Sequence, residues 1–328
     1  MQQDTTEWLE ATPAGYARAV ALWQDGAVVA FPTETVYGLG ADAGNDRAVA
    51  RIFAAKNRPQ ANPLIVHAPS IAAVRRYAYW NPQAERLAHA FWPGPLTLVL
   101  PLHPQAELSP LVVAGRKTVA LRVPRHPVAQ ALLRAVQRPI AAPSANLSGR
   151  VSPSTAAHVA ATMKGRIAAI VAAGAAEIGL ESTIIGLWEA PVLLRPGGIP
   201  LEAIQAVLGY TPRPYHGEGG AVVAPGQLPC HYAPKVPLRM NARKVRPGEV
   251  LLGFGAIECH LNLSARGDLA EAAAKLYTCL HRLDAACPAG GIAVSPVPNH
   301  GLGRAINDRL RRAAASAGTR AECQTAPE

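Results

Sequence analysis

The sequence predicts an α/β protein, with a first domain built on a mixed, twisted sheet with helices and a smaller second α/β (Rossmann-like) unit. Three observations carry this. Short apolar runs of strand length alternate with stretches of helical apolar spacing. The pattern lapses between Tyr210 and Pro237, where T-P-R-P-Y-H-G-E-G-G is followed by A-P-G-Q-L-P-C-H-Y-A-P, and then resumes. The length of 328 residues favours about two domains.

Residues 14–25 carry Tyr16, Val20 and Trp23 at helical spacing and stop at Gly26. Ala27 to Phe31 is a continuous apolar run closed by Pro32, the pattern of a strand buried on both faces. Asp46 is read as the N-cap of a helix through Ile52, Phe53 and Ala54 that ends near Pro59. Further strands are expected at Leu64–Val66, Leu96–Leu100, Val119–Val123, Ile140–Ala142, Ala168–Val171, Thr183–Leu187 and Val192–Leu194, with helices near 70–78, 83–90, 127–136, 153–163 and 200–208. In the second unit, strands Glu249–Phe254 and Gly291–Ser295 alternate with helices Asp268–Ala286 and Asn299–Ala315. The domains expected are 13–200, a linker or lid over 201–236, and 237–325.

A hydrophobic fraction of 49% is too high for a disordered chain. No apolar run approaches the ~18 residues that cross a bilayer, which excludes a membrane-spanning helix. Met1 to Glu10 is acidic without a basic residue, unlike a secretory or transit segment, so a cytoplasmic location is expected. The net charge of +10 invites an anionic partner. Its even spread, 18 basic against 12 acidic residues up to 200 and 14 against 10 beyond, leaves no basic tail. Five cysteines without a C-x-x-C pair suggest neither a zinc site nor a disulfide framework. With no P-loop, no G-x-S-x-G elbow and no cysteine in the first domain, any catalysis must rest on positioning and charge, as in phosphoryl or nucleotidyl transfer.

Polar groups gather at strand ends. Phe31 to Gly40 reads as a loop of hydroxyls, a carboxylate and glycines, equally compatible with a simple turn. Pro59 moves Arg58 out of the helical region, and an extended Lys56 to Arg58 puts two cations on one face, suited to phosphate or to a helix end. Ser144 and Asn146 share a face after another apolar strand, and His67 ends the strand Leu64–Val66. Arg122, amid apolar strand residues, needs a partner: a ligand carboxylate, or Glu34 or Glu181 of the fold itself.

In order, P-T-E-T-V-Y-G-L-G, K-N-R-P, N-P-L-I-V-H, W-P-G-P-L-T, L-R-V-P, P-S-A-N-L-S-G, G-L-E-S-T-I-I and L-R-P-G-G closely resemble the YrdC-like domain of threonylcarbamoyl-AMP synthases. H-Y-A-P (His231 to Pro234) and G-L-G-R-A-I-N-D-R-L (Gly301 to Leu310) resemble the long, two-domain form of that family. The resemblance implies an enzyme joining L-threonine, bicarbonate and ATP, with Mg2+, into threonylcarbamoyl-AMP and pyrophosphate. The product would serve a downstream tRNA threonylcarbamoyl transferase complex acting at adenosine 37 of tRNA. It further implies Lys56, Arg58, Ser144 and Asn146 as catalytic groups, with Asn62, Thr118, Ser152, Arg195 and Tyr232 also binding ATP. Threonine would lie against Thr35, His67, Arg122, Ala142 and Ser182, and no side chain is assigned to the metal. Asn57 stands where the family commonly has glycine, and Gln227-Leu228-Pro229-Cys230 replaces its usual run before H-Y-A-P. The aromatic, proline-stiffened end of the connection is costly to leave in water, so residues 210–235 are expected to fold over the pocket. The other class that the fold allows is a double-stranded RNA or tRNA-binding module without catalysis.

Overall fold

The computed structural model describes residues 5–215, 223–227, 231–286 and 290–315. Eleven strands make one mixed sheet, in the order β1-β8-β2-β3-β7-β4-β6-β5-β9-β10-β11. They are β1 (Glu7–Glu10), β2 (Val29–Phe31), β3 (Gly38–Asp42), β4 (Ile65–His67), β5 (Leu96–Pro101), β6 (Thr118–Arg122), β7 (Ile140–Ala141), β8 (Ala169–Ala172), β9 (Thr183–Gly186), β10 (Val192–Arg195) and β11 (Arg213–Pro214). Strand β3 was expected as a polar loop. Its glycines instead pack: a Cβ at Gly40 would sit 2.8 Å from the Trp23 ring, whose Nε1 donates to the Gly40 carbonyl at 2.9 Å. The loop is thereby shortened to a hairpin connection between antiparallel β2 and β3.

Helices cover the sheet. On one side α1 (Pro13–Gln24) and α6 (Pro127–Val136) bury Trp23, Leu132 and Leu133 against Val29, Phe31 and Ile140. A larger core takes Ile52 and Phe53 from α2 (Asp46–Lys56), Leu87 from α4 (Pro82–Phe91) and Leu98 and Leu121 from the sheet. The cap of α2 is Asn45, one residue before the expected Asp46, accepting from Arg47 N and Ala48 N. Helix α8 (Leu201–Leu208) adds Ile204 and Leu208 to this core, and β11 pairs in parallel with β10. Part of the stretch expected as linker therefore completes the first domain.

The second unit is a four-stranded parallel sheet, ordered β12-β15-β13-β14: β12 (Leu238–Arg239), β13 (Val250–Gly253), β14 (Leu261–Asn262) and β15 (Ile292–Val294). Helices α9 (Leu269–Ala286) and α10 (Gly303–Ala315) pack on it, and their core continues through Tyr232 into Val36, Val151 and Leu180 of the first domain. The domains meet closely. A Cβ at Gly179 would lie 2.5 Å from the Ala273 carbonyl of α9, and His158 of α7 (Ala156–Met163) stacks on His281 at 4.1 Å. Among the described residues no helix is long and apolar enough to cross a membrane.

Candidate active site

The strand ends around β4, β6, β7 and β9 open into one cleft, lined among others by Thr35, Arg58, His67, Arg122, Ser182 and Arg195. Ala142, Ser144 and Tyr232 line it too. All five residues expected around threonine are thus brought together. Of the nucleotide set, Arg58, Ser144, Arg195 and Tyr232 line the cleft, whereas Lys56, Asn62, Thr118, Asn146 and Ser152 do not.

The threonine side is held by its own bonds. Thr33 Oγ1 lies 2.8 Å from Thr35 Oγ1 and donates to the Val36 carbonyl at 2.6 Å; Thr97 Oγ1 and Ser182 Oγ share a hydrogen at 2.7 Å. Arg122 is buried with its Nη2 2.8 Å from Glu34 Oε1, so the fold's own glutamate is its partner. Burial pushes Glu34 up, but the charge and hydrogen bond of Arg122 outweigh it and hold the carboxyl below its ordinary range. Arg122 Nε points to the Gly94 carbonyl at 3.4 Å, which leaves Nη1 without a protein partner among the described residues. Burial first, then Arg122, press His67 down to about 3, so its imidazole is neutral. Its Nδ1 lies 3.1 Å from the Ile65 carbonyl, which can only accept, so Nδ1 carries the proton and Nε2 is an acceptor.

The nucleotide side departs from expectation in one respect. Lys56 and Arg58 are not on an extended segment: Lys56 is the last residue of α2, and Asn57 turns the chain through the left-handed region at φ 51°. That φ is the reason a glycine suits the middle of K-x-R, and asparagine is the other residue that tolerates it. Past the turn the two cations take different partners. Lys56 Nζ donates to the carbonyls of Ser144 and Asn146, at 2.6 and 2.5 Å, and fixes the loop that bears them. Burial, then Arg58, lower its pKa well below the ordinary lysine value. Arg58 uses Nε and Nη2 on the carbonyls of Asn62 and Pro63, and keeps Nη1 free of protein partners among the described residues. Arg195 grips the Ser182 carbonyl with Nε and Nη2, the Ser182 hydroxyl with Nη2, and the Pro225 carbonyl with Nη1 at 3.2 Å. Thr118 begins β6, two positions before the Ile65–Ala120 pair and so level with Pro63.

From the connection, Pro225, Gly226 and Tyr232 enter the cleft. A Cβ at Gly226, whose φ is +84°, would lie 2.7 Å from the Tyr232 hydroxyl and 3.0 Å from Arg195 Cδ. Residues 216–222 and 228–230 of the expected lid, including most of the unusual Gln227-to-Cys230 run, lie outside the described residues. Buried side-chain atoms without a partner include, in the nucleotide set and the connection, both amide atoms of Asn62, Asn146 Oδ1, His231 Nδ1 and the Tyr232 hydroxyl, and elsewhere Trp80 Nε1 and Ser295 Oγ. Such groups are costly in a folded protein unless water or a ligand meets them.

Sequence reasoning missed the second domain's share of the site. Glu181, in the cleft wall, accepts from Ser152 Oγ at 2.6 Å, from the Tyr277 hydroxyl at 2.8 Å and from Arg309 Nε at 2.8 Å. Burial raises its pKa, but Arg309 and then Arg195 prevail and bring it to about 2. The signal for Arg309 lay in G-L-G-R-A-I-N-D-R-L, without a position in space to give it meaning.

Fold and cleft together define a YrdC-like enzyme of two α/β domains, in which charge and position do the work of group transfer. Residues 21–197 match the Sua5_yciO_yrdC family, described as telomere recombination, and residues 199–315 match the threonylcarbamoyl-AMP synthase C-terminal domain. A Bacillus subtilis threonylcarbamoyl-AMP synthase is 43% identical over 95% of this chain and 96% of its own length. One from Pyrococcus abyssi is 42% identical over 94% of each. The crystal structure of P. abyssi Sua5 complexed with L-threonine superposes with a TM-score of 0.86 at 38% identity, covering 94% of this chain and 97% of that one. Escherichia coli YciO, 24% identical with a TM-score of 0.53 over 60% of this chain, shares the fold of the first domain. The chain belongs to the threonylcarbamoyl-AMP synthase family, in its two-domain form.

Proposed function

We propose that the cleft forms threonylcarbamoyl-AMP with the labour divided as its geometry divides. The enzyme is a nucleotidyltransferase that makes this adenylate and pyrophosphate from L-threonine, bicarbonate and ATP. Threonine's carboxylate pairs with the free Nη1 of Arg122, beside the standing Glu34 pair, and its hydroxyl donates to Nε2 of His67. The neutral imidazole suits that role because it needs no proton to be lost first. Thr35, Ser182 and the backbone of Ala142 complete the pocket.

The neutral threonine amine adds to carbon dioxide with loss of a proton, or to bicarbonate with loss of water, to give a carbamate. A carbamate oxygen then attacks the α-phosphorus of ATP, and the bond to pyrophosphate breaks. Arg58 and Arg195 offset charge on the phosphates; Lys56 acts one step back, by fixing the carbonyls of Ser144 and Asn146 and hence the side chains between them. Asn62 and Ser152 support this layer, through the Asn62 carbonyl on Arg58 and the Ser152 hydroxyl on Glu181, and Thr118 is kept with them in the nucleotide set. Among the described residues no cluster of His, Cys, Asp or Glu could cage a metal by itself. The orphaned Asn146 Oδ1, with the Ser144 hydroxyl, fits Mg2+ that arrives on ATP and is held mainly by phosphate oxygens. Bound there, Mg2+ would supply charge neutralisation at the phosphates.

The segment carrying Pro225, Gly226 and Tyr232 is then a lid, which keeps water from an adenylate prone to hydrolysis. The product passes to a tRNA threonylcarbamoyl transferase complex in the cytoplasm, and tRNA itself is a candidate partner for the basic surface. The single observation that carries this reading is the coincidence of two uncommitted guanidinium nitrogens, on Arg122 and Arg58, in the lining of one cleft. The test is pyrophosphate release with each substrate omitted in turn. Release should need threonine and bicarbonate together, with serine a poorer substrate by roughly 10- to 200-fold for its missing methyl. Equal release without any amino acid would refute the assignment.

A further inference from the structure

Thr97, which closes the W-P-G-P-L-T run, is fully buried in β5 and takes no part in the chemistry. It does not line the cleft, but its Oγ1 lies 2.7 Å from the hydroxyl of Ser182, which does. Strand β5 runs between β6, which ends in Arg122, and β9, which Ser182 immediately precedes. At the entry to β5 the Gly94 carbonyl faces Arg122 Nε at 3.4 Å, and the Pro95 carbonyl accepts from Thr183 N at 3.0 Å. Thr97 thus sits in the strand between the free guanidinium nitrogen of Arg122 and the hydroxyl of Ser182.

The heavy-atom geometry places the hydroxyl protons. Among the described residues Thr97 Oγ1 has no partner other than Ser182, so a proton turned elsewhere would be buried without an acceptor. Thr97 must donate. Ser182 Oγ also accepts from Arg195 Nη2 at 3.1 Å, which fills its second lone pair and leaves its own proton free. Ser182 can then only donate to a ligand. Thr35 has the opposite polarity: Thr33 Oγ1 gives its one proton to the Val36 carbonyl at 2.6 Å, so Thr35 is the donor in their 2.8 Å contact and keeps only lone pairs for a ligand. A carboxylate accepts and never donates, so the direction of the Thr97 bond decides whether the Ser182 hydroxyl attracts it or repels it.

We infer that Thr97 is a positioning residue for L-threonine: by donating to Ser182 it reserves the Ser182 proton for the substrate carboxylate, which Arg122 also receives. This rests on the reading above, in which threonine occupies this side of the cleft. Thr97 acts through Ser182 alone and touches no substrate.

The test uses the full chain carrying Thr97→Val, alone and together with Ser182→Ala, with Thr97→Ser as the conservative variant. Calorimetry reads the affinity for L-threonine and for L-threoninamide, in which the carboxylate is exchanged for a group that also donates. Thr97→Val should weaken threonine binding about three- to tenfold, and should cost nothing further once Ser182 is alanine. It should also narrow the preference for threonine over threoninamide, because the lone pair freed on Ser182 can accept from the amide. Thr97→Ser should keep both quantities within about twofold of the wild type. Should the valine variant fail to fold, Thr97→Ala takes its place in the same cycle. A threonine penalty that is equal in both backgrounds, or a preference over threoninamide that does not move, would overturn the inference alone and leave Thr97 a structural hydroxyl. A wild-type chain that binds no threonine would overturn the reading of the site and the inference with it.

Discussion

The two halves of the cleft are built on opposite terms. On the threonine side nearly every polar group already has a protein partner: Arg122 has Glu34, Ser182 has Thr97 and Arg195, Thr35 has Thr33, His67 has the Ile65 carbonyl. On the nucleotide side Asn62, Asn146, His231 and Tyr232 keep buried polar atoms without one. The first half is organised before a ligand arrives and contributes to the stability of the fold. The second half leaves these atoms for water or a ligand to meet.

The largest effect expected from breaking this contrast is on the threonine side. Arg122→Ala leaves Glu34 buried and unpaired, so stability should fall by about 3 to 5 kcal/mol in urea unfolding, with Glu34→Gln in the same chain restoring much of it. Threonine binding by Arg122→Ala at the wild-type affinity would refute the placement of its carboxylate. On the other side, Arg58→Ala should lower kcat/KM for pyrophosphate release on the order of 30- to 1000-fold, with threonine affinity unchanged in calorimetry.

A paired comparison sharpens the difference. Thr97→Val removes a satisfied bond and should cost about 1 kcal/mol of stability, whereas Asn62→Ala removes two unsatisfied atoms and should cost none while weakening ATP binding. Equal losses in thermal unfolding would erase the distinction between the halves. A further effect is in pH. His67 and His231 are held down to about 3 and His158 to about 4 by burial, against 6.5 in an unfolded chain. The unfolded state therefore binds more protons on the acid side of 6.5; stability is complete above that pH and declines as pH falls below it. Glu181, at about 2 against 4.5, adds a further loss only below pH 4.5. Unfolding temperatures between pH 7 and 5 should trace the histidine part, and His158→Asn should flatten it.

Much of this was legible in the sequence. Buried strands such as Leu96–Pro101 and the helix Pro127–Val136 announce themselves by apolar runs and spacing, and the polar strand ends that line the cleft follow from them. What escaped has physical reasons. Strand β3 escaped because its glycines serve packing against Trp23, a contact made across the sheet. The different partners of Lys56 and Arg58 escaped because the chain between them turns on one left-handed residue, Asn57. The choice between Glu34 and Glu181 for Arg122 stayed open because both carboxylates end beside the cleft; only space assigns Glu34 to Arg122 and Glu181 to Arg309.

The parallel pairing of β11 with β10 bears on how the chain can be shortened. Arg213 and Pro214 close the sheet with a charged residue and with one that has no N–H to offer, both exposed, so the last strand is a poor template for another chain. Behind it, Val192 and Trp188 pack with Tyr215. A fragment ended after Pro200 would lose that cover and present a sticky apolar border, prone to self-association in light scattering, whereas one ended after Tyr215 keeps its seal.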